Sequence, residues 1–112
     1  MERRSSPRIP LELPVVQVLA DQALGKARTL DVSEDGLRLE PLAGEHLVPG
    51  RFAWFSVELP SEESGAVPGP RIRALAELCE APDDSLRYRI KYIYPADRRR
   101  FEAAVRRAAG TC

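Results

Sequence analysis

Apolar and polar residues alternate along most of this chain in short runs, and the period changes once, near the C-terminus. Alternation with period two marks a strand with one buried face. Leu13 to Ala20 is the first such run, with Val16 and Val18 on one face. Gly25 turns the chain into a second, Lys26 to Val32, and Leu37 to Glu40 follows Gly36 as a third. In Arg51 to Leu59 the residues Ala53, Phe55, Val57 and Leu59 alternate with Phe52, Trp54, Ser56 and Glu58. Arg71 to Glu80 carries Ile72, Ala74, Ala76 and Leu78 on one face. Leu86 to Tyr94 is the clearest run: Leu86, Tyr88, Ile90 and Tyr92 face one way, Arg87, Arg89 and Lys91 the other. Pro60 to Pro70 and Ala81 to Ser85 read as a polar loop and a turn. After Tyr94 the spacing becomes helical, with Phe101, Ala104, Val105 and Ala108 on one face. Pro95 suits a first turn, Asp97 the positive end of the dipole and Gly110 a stop. A helix over about 95–109 follows.

Six short strands in succession favour an antiparallel sandwich or a small barrel. A closed barrel also removes exposed strand edges. At 112 residues and 12.5 kDa the chain holds one core and one domain. No internal repeat is present.

Charge changes the picture mainly by exclusion. Lys and Arg number 17, Asp and Glu 17, giving a net charge of zero. That argues against a protein that binds nucleic acid through bulk positive charge. The balance is uneven along the chain: residues 1–28 carry net +2, residues 29–66 net −6 and residues 67–112 net +4. Fifteen of the 17 basic residues are Arg, Lys26 and Lys91 being the exceptions. A GC-rich coding bias accounts for such a skew, and so does a need for planar, bidentate recognition. No apolar run reaches the roughly 20 residues of a membrane span, so no membrane insertion is expected. The first residues lack the apolar segment of a signal peptide, so a cytoplasmic location is expected, with Cys79 and Cys112 as reduced thiols.

Catalysis finds no support. His46 stands alone in the loop Gly44-Glu45-His46, and there is no clustered Cys/His set for a metal. No Gly-rich phosphate loop is present. Asp31, Glu34, Asp35, Asp83 and Asp84 lie in turns, where carboxylates are solvated or capping groups. The chain is expected to be no enzyme and to carry neither metal nor cofactor.

Two short motifs remain. Arg4-Ser5-Ser6-Pro7-Arg8 spaces two arginines as R-x-x-x-R, with Arg3 just ahead. Asp31-Val32-Ser33-Glu34-Asp35-Gly36 reads as D-x-S-x-x-G between the second and third strands. Alone, the first is a basic tail and the second an ordinary turn. Together, in this order, they resemble the PilZ domain, which pairs R-x-x-x-R before its first strand with [D/N]-x-S-x-x-G after its second. The resemblance spans nearly the whole chain. It includes the run Arg8-Ile9-Pro10-Leu11-Glu12-Leu13-Pro14-Val15, then Gly36-Leu37-Arg38-Leu39, and the last strand leading into a helix. It implies an all-β fold, a six-stranded antiparallel β-barrel with a C-terminal α-helix. Residues 1–10 would be a flexible arm and 11–112 the barrel domain.

The resemblance also implies a ligand, the bacterial second messenger cyclic di-GMP, and the residues suit it. An Arg fork can donate to guanine O6 and N7 together, a pairing worth about 1–3 kcal/mol of discrimination. Arg also pairs bidentately with phosphate and stacks on purines. A carboxylate accepts from the guanine N1–H and N2–H₂ edge. By resemblance, Arg4 and Arg8 take guanine and phosphate, Asp31 and Ser33 hold a guanine edge, and Gly36 lets the backbone turn tightly and approach the ligand. Arg38, beside the second motif, faces ligand or solvent. Arg3 is compatible with an intercalated ligand pair, hence two ligands per domain. If Leu30 and Val32 point into the barrel, Asp31 points out, where the arm can lie. The implied role is a bacterial receptor that reorders its arm on binding and acts through an unidentified protein partner, controlling motility, polysaccharide or adhesion. The alternatives are a PilZ-type interaction module without nucleotide binding, and a small barrel binding single-stranded nucleic acid. The second is disfavoured because aromatics are 6% of residues and most sit in core phase. No nucleic-acid partner is therefore expected.

Outside the motifs, Trp54 is expected to pack under the C-terminal helix, the alternative being a partner surface. Arg87, Arg89 and Lys91 read as a solvated barrel exterior. Arg98-Arg99-Arg100 opposes the helix dipole and reads as exposed. Cys79 reads as a small residue on a strand face.

Overall fold

A computed structural model describes residues 8–61, 69–80 and 85–110. The expected loop over 60–70 and turn over 81–85 therefore lie largely outside the described residues. So do positions 1–7 of the arm, with Arg3 and Arg4. The elements are β1 (Ile9–Pro10), β2 (Pro14–Leu19), β3 (Gln22–Ser33), β4 (Gly36–Pro41), β5 (Phe52–Glu58), β6 (Arg71–Glu80), β7 (Leu86–Ile93) and α1 (Pro95–Ala109). Strands β2 to β7 form a closed, six-stranded antiparallel barrel in the ring order β3-β2-β5-β6-β7-β4, which β3–β4 pairing closes. The extra strand β1 runs antiparallel along β3, with Ile9 opposite Val32 and Pro10 opposite Asp31.

Alternation places the core. Ala53, Phe55, Val57 and Leu59 point inward from the β5 run, and Ile72, Ala74 and Ala76 from β6. Phe55 meets Tyr88 edge to face, with ring centroids 4.8 Å apart. Burial raises the Tyr88 phenol above the ordinary tyrosine range. Helix α1 starts with Pro95 in its first turn and ends at Gly110, whose N–H donates to the Arg106 carbonyl at 2.9 Å. Its buried residues Phe101, Ala104 and Val105 join the core.

The structure corrects the sequence reading where the period slips. β3 starts at Gln22, because the hairpin turns at Ala20-Asp21, with Leu19 opposite Gln22. Ala20 takes the positive φ of 55°. Gly25 sits inside β3 for a different reason: a Cβ there would lie 2.3 Å from the His46 carbonyl oxygen. Leu13 just before β2, and Val15 and Gln17 within it, are buried, so Val16 and Val18 face outward. The buried Gln17 amide donates to the Val48 carbonyl at 3.0 Å and accepts from the Val48 N–H at 2.7 Å. That exchange fixes the long β4–β5 connection without an orphaned polar group.

Two further slips matter for function. Opposite β4, Thr29 pairs with Leu39 and Asp31 with Arg38, so Leu30 is an extra residue. Ala27, Thr29 and Val32 are therefore buried, while Leu30 is not. Opposite β6, Leu75 pairs with Tyr92 and Ala76 with Ile90, so Lys91 is extra. Tyr92 then faces outward and Ile93 inward, against the strict alternation. Trp54 is also outside, in register with Val18 and Leu75, while α1 packs against β1 and β6.

Thr29 anchors the chain just after β1. Its buried hydroxyl accepts from the Leu13 N–H at 2.8 Å and donates to the Leu11 carbonyl. Thr29→Val keeps the shape but orphans both backbone groups. It is expected to lower unfolding free energy by about 2 kcal/mol in a urea titration, and to speed amide exchange at Leu13.

Candidate functional site

The second motif occupies the end of β3 and the turn into β4. The extra residue Leu30 sets the phase, so Val32 enters the core and Asp31 reaches the outer surface. On one side of Asp31 lies β1, on the other β4. This brings Arg8, from the first motif, onto the Asp31 carboxylate: Arg8 Nη1 to Asp31 Oδ1 is 3.0 Å. Arg38 approaches from β4, Nη1 to Oδ2 at 3.5 Å, and its Nε donates to Ser85 Oγ at 3.1 Å. Asp31 is thus held between two guanidinium groups. The side chains of Arg8, Arg38 and Asp31 are 34%, 32% and 17% exposed, so a ligand can reach all three from solvent.

Ser33 is buried, and its hydroxyl donates to Asp35 Oδ1 at 2.8 Å. The Asp35 carbonyl accepts from the Ile90 N–H at 2.9 Å, tying the turn to β7. Gly36 has no positive φ. Its demand is space, since a Cβ would lie 3.2 Å from the Tyr88 carbonyl oxygen and 3.4 Å from Ser33 Oγ.

Of the sequence-derived site residues, Arg8, Asp31 and Arg38 come together, Ser33 and Gly36 shape the turn beside them, and Arg3 and Arg4 are outside the described residues. Sequence reasoning missed Ser85, whose link to Arg38 spans 47 positions and leaves no local signal. It also missed the helix. Arg98 Nη1 donates to the Glu34 carbonyl at 3.3 Å, and Arg106 Nη1 lies 3.5 Å from Glu34 Oε2. The unfavourable arginine at the start of α1 is the signal that could have found this: Arg98 has a partner in the motif turn.

No family model matches the chain, and no curated protein matches it. Among solved structures, several chains are similar. The structure of the Bacillus subtilis inhibitor of motility (MotI/DgrA) superposes with a TM-score of 0.65 at 16% identity, covering 97% of this chain and 51% of that one. At this identity the likeness shows the fold, a closed barrel with a C-terminal helix. The chain spans about half the length of that protein. Among the described residues, no group of three or more His, Cys, Asp and Glu side chains could hold a metal, and no helix is long and apolar enough to cross a membrane.

Proposed function

We propose that this chain is a PilZ-type receptor module for cyclic di-GMP. The observation that carries the reading is the Arg8–Asp31 contact at 3.0 Å. It joins two motifs 23 positions apart on one accessible patch, with Arg38 alongside. The chemistry is an exchange of partners. A guanine offers its N1–H and N2–H₂ edge to Asp31, so Asp31 releases Arg8. The freed guanidinium turns to guanine O6 and N7, or to phosphate, as a planar fork. Ser33 gives up Asp35 for the same ligand, and Arg4 adds a second cation to the dianion.

Moving Arg8 moves the arm that carries it. Ile9 and Pro10 already pair with β3, so the segment ahead of Ile9 is the part that reorders. Arg3 stacks on the outer guanine of an intercalated pair, which sets two ligands per chain. The module performs no chemistry itself; a protein partner in a bacterial cytoplasm reads the reordered surface. Motility is the process favoured by the likeness to the inhibitor of motility, and polysaccharide or adhesion control also fit the PilZ resemblance.

Calorimetric titration of cyclic di-GMP into the full chain tests the reading. The expected result is saturable binding with two ligands per chain, and much weaker binding of cyclic di-AMP, whose adenines lack the edge that Asp31 accepts from. Absence of heat at any ligand concentration rejects the receptor and leaves a protein-interaction module.

A further inference from the structure

Four of the seven aromatic residues lie outside the barrel, and all four are on one wall. Phe52 and Trp54 project from β5, Tyr92 from β7, and Tyr94 from just beyond it. The other three, Phe55, Tyr88 and Phe101, are buried. Phe52, Tyr92 and Tyr94 are 51%, 45% and 50% exposed. Trp54 and Tyr92 are aligned across β6 through Leu75. Tyr94 stands edge-on to Tyr92, centroids 5.4 Å apart. The extra residue Lys91 is what turns Tyr92 outward.

The same wall is rich in cations. Among its residues whose side chains are described are Arg51, Arg71, Arg73, Arg89 and Lys91, and the carboxylates Glu58 and Glu77. Both carboxylates are already engaged. Arg51 Nε lies 2.7 Å and Lys91 Nζ 3.6 Å from Glu77, and Arg71 Nε lies 4.0 Å from Glu58. The Arg51 guanidinium holds the Glu77 carboxyl below the ordinary range, so it stays charged and paired. Arg51 also covers one face of Phe52 at 5.2 Å. The wall is therefore positive overall, which opposes its packing against a second copy of itself.

Flat rings on one outer wall of a small barrel, set among excess cations, suit one kind of partner. Bases stack on the rings, and phosphates meet the cations. We propose that the outer wall of β5, β6 and β7 binds single-stranded nucleic acid without strict sequence preference. Tyr92, Tyr94 and Trp54 provide the stacking platform, and Arg73, Arg89 and Lys91 meet the backbone. The proposal does not rest on the cyclic di-GMP site, which is built on β1, β3 and β4 and borders this wall where Arg89 lies opposite Gly36. Net neutrality of the whole chain argued against a nucleic-acid partner, but the charges are sorted between walls.

Trp54 is the single tryptophan and reports binding directly. Oligodeoxythymidylate of about 15 nucleotides titrated into the full chain at about 50 mM salt is expected to quench Trp54 emission. With about three phosphates neutralised, log affinity should fall against log salt with a slope near about −2. Tyr92→Ala and Tyr94→Ala should each weaken binding about tenfold or more, and Tyr92→Phe should restore it. Arg73→Ala should weaken binding and flatten the salt slope. Lys26→Ala, which removes a charge from another wall, should leave both unchanged. Thermal melts check that each variant folds. No quenching by the oligonucleotide overturns the proposal. Equal quenching by polyglutamate, with the tyrosine variants binding at full strength, also overturns it and makes the wall a surface for acidic proteins.

Discussion

Arg8→Ala is expected to weaken cyclic di-GMP binding by about a hundredfold or more while hardly moving the melting temperature. The lost guanine fork is worth about 1–3 kcal/mol, and a charge-assisted bond to phosphate adds about 1.5–3 kcal/mol. Even the lower part of that combined range approaches two factors of ten, at about 1.4 kcal/mol each. In the free protein the same side chain makes a partly exposed ion pair with Asp31, and such pairs contribute at most about 1 kcal/mol. Calorimetry and a thermal melt on one preparation separate the two. Arg8→Lys keeps the charge without the fork, so it should recover only part of the affinity. A large fall in melting temperature with little change in binding would make Arg8 a structural residue and remove the basis of the proposed site.

Phe55→Ala is expected to have the largest effect on stability. Phe55 has no exposed surface and meets Tyr88 edge to face. Truncating a buried Phe costs about 3–5 kcal/mol, including the cavity left behind. Against a typical stability of about 5–15 kcal/mol, that removes from about a fifth to all of it and can unfold the domain at 37 °C. Denaturant unfolding measures it. Phe55→Leu, which nearly conserves volume, should lose far less. Phe52→Ala, three residues earlier and on the outer wall, should barely affect stability, because that ring is half exposed.

The inward rows of β5 and β6 and the change of period at α1 were legible in the sequence, because hydrophobic alternation and helical spacing follow directly from burial. The Asp31 motif was legible as residues, since Asp, Ser and Gly occur where the turn needs them. Strand bulges were not. Inserting one residue flips every later side chain to the other face, and nothing in Leu30 or Lys91 as residue types announces it. Leu30 was expected inside, yet Asp31 still faces out, because the bulge and the misplaced leucine compensate. Tyr92 had no such compensation, so a surface ring was assigned to the core, and with it the case against aromatic platforms. Gly25 misled for another reason. A glycine marks either a turn or a close approach, and only the position of the His46 carbonyl decides between them.

β3 carries a consequence of its own. β2 pairs with it only as far as Arg28, and β1 takes over at Asp31 and Val32. The arm is thus a two-residue seal over main-chain groups at the end of a long strand. Were the reordering ahead of Ile9 to extend into β1, it would uncover a strand edge as well as reposition Arg8. An uncovered edge is a ready template for another extended segment. On the proposed reading, a partner's backbone would then fill the vacated place by strand addition.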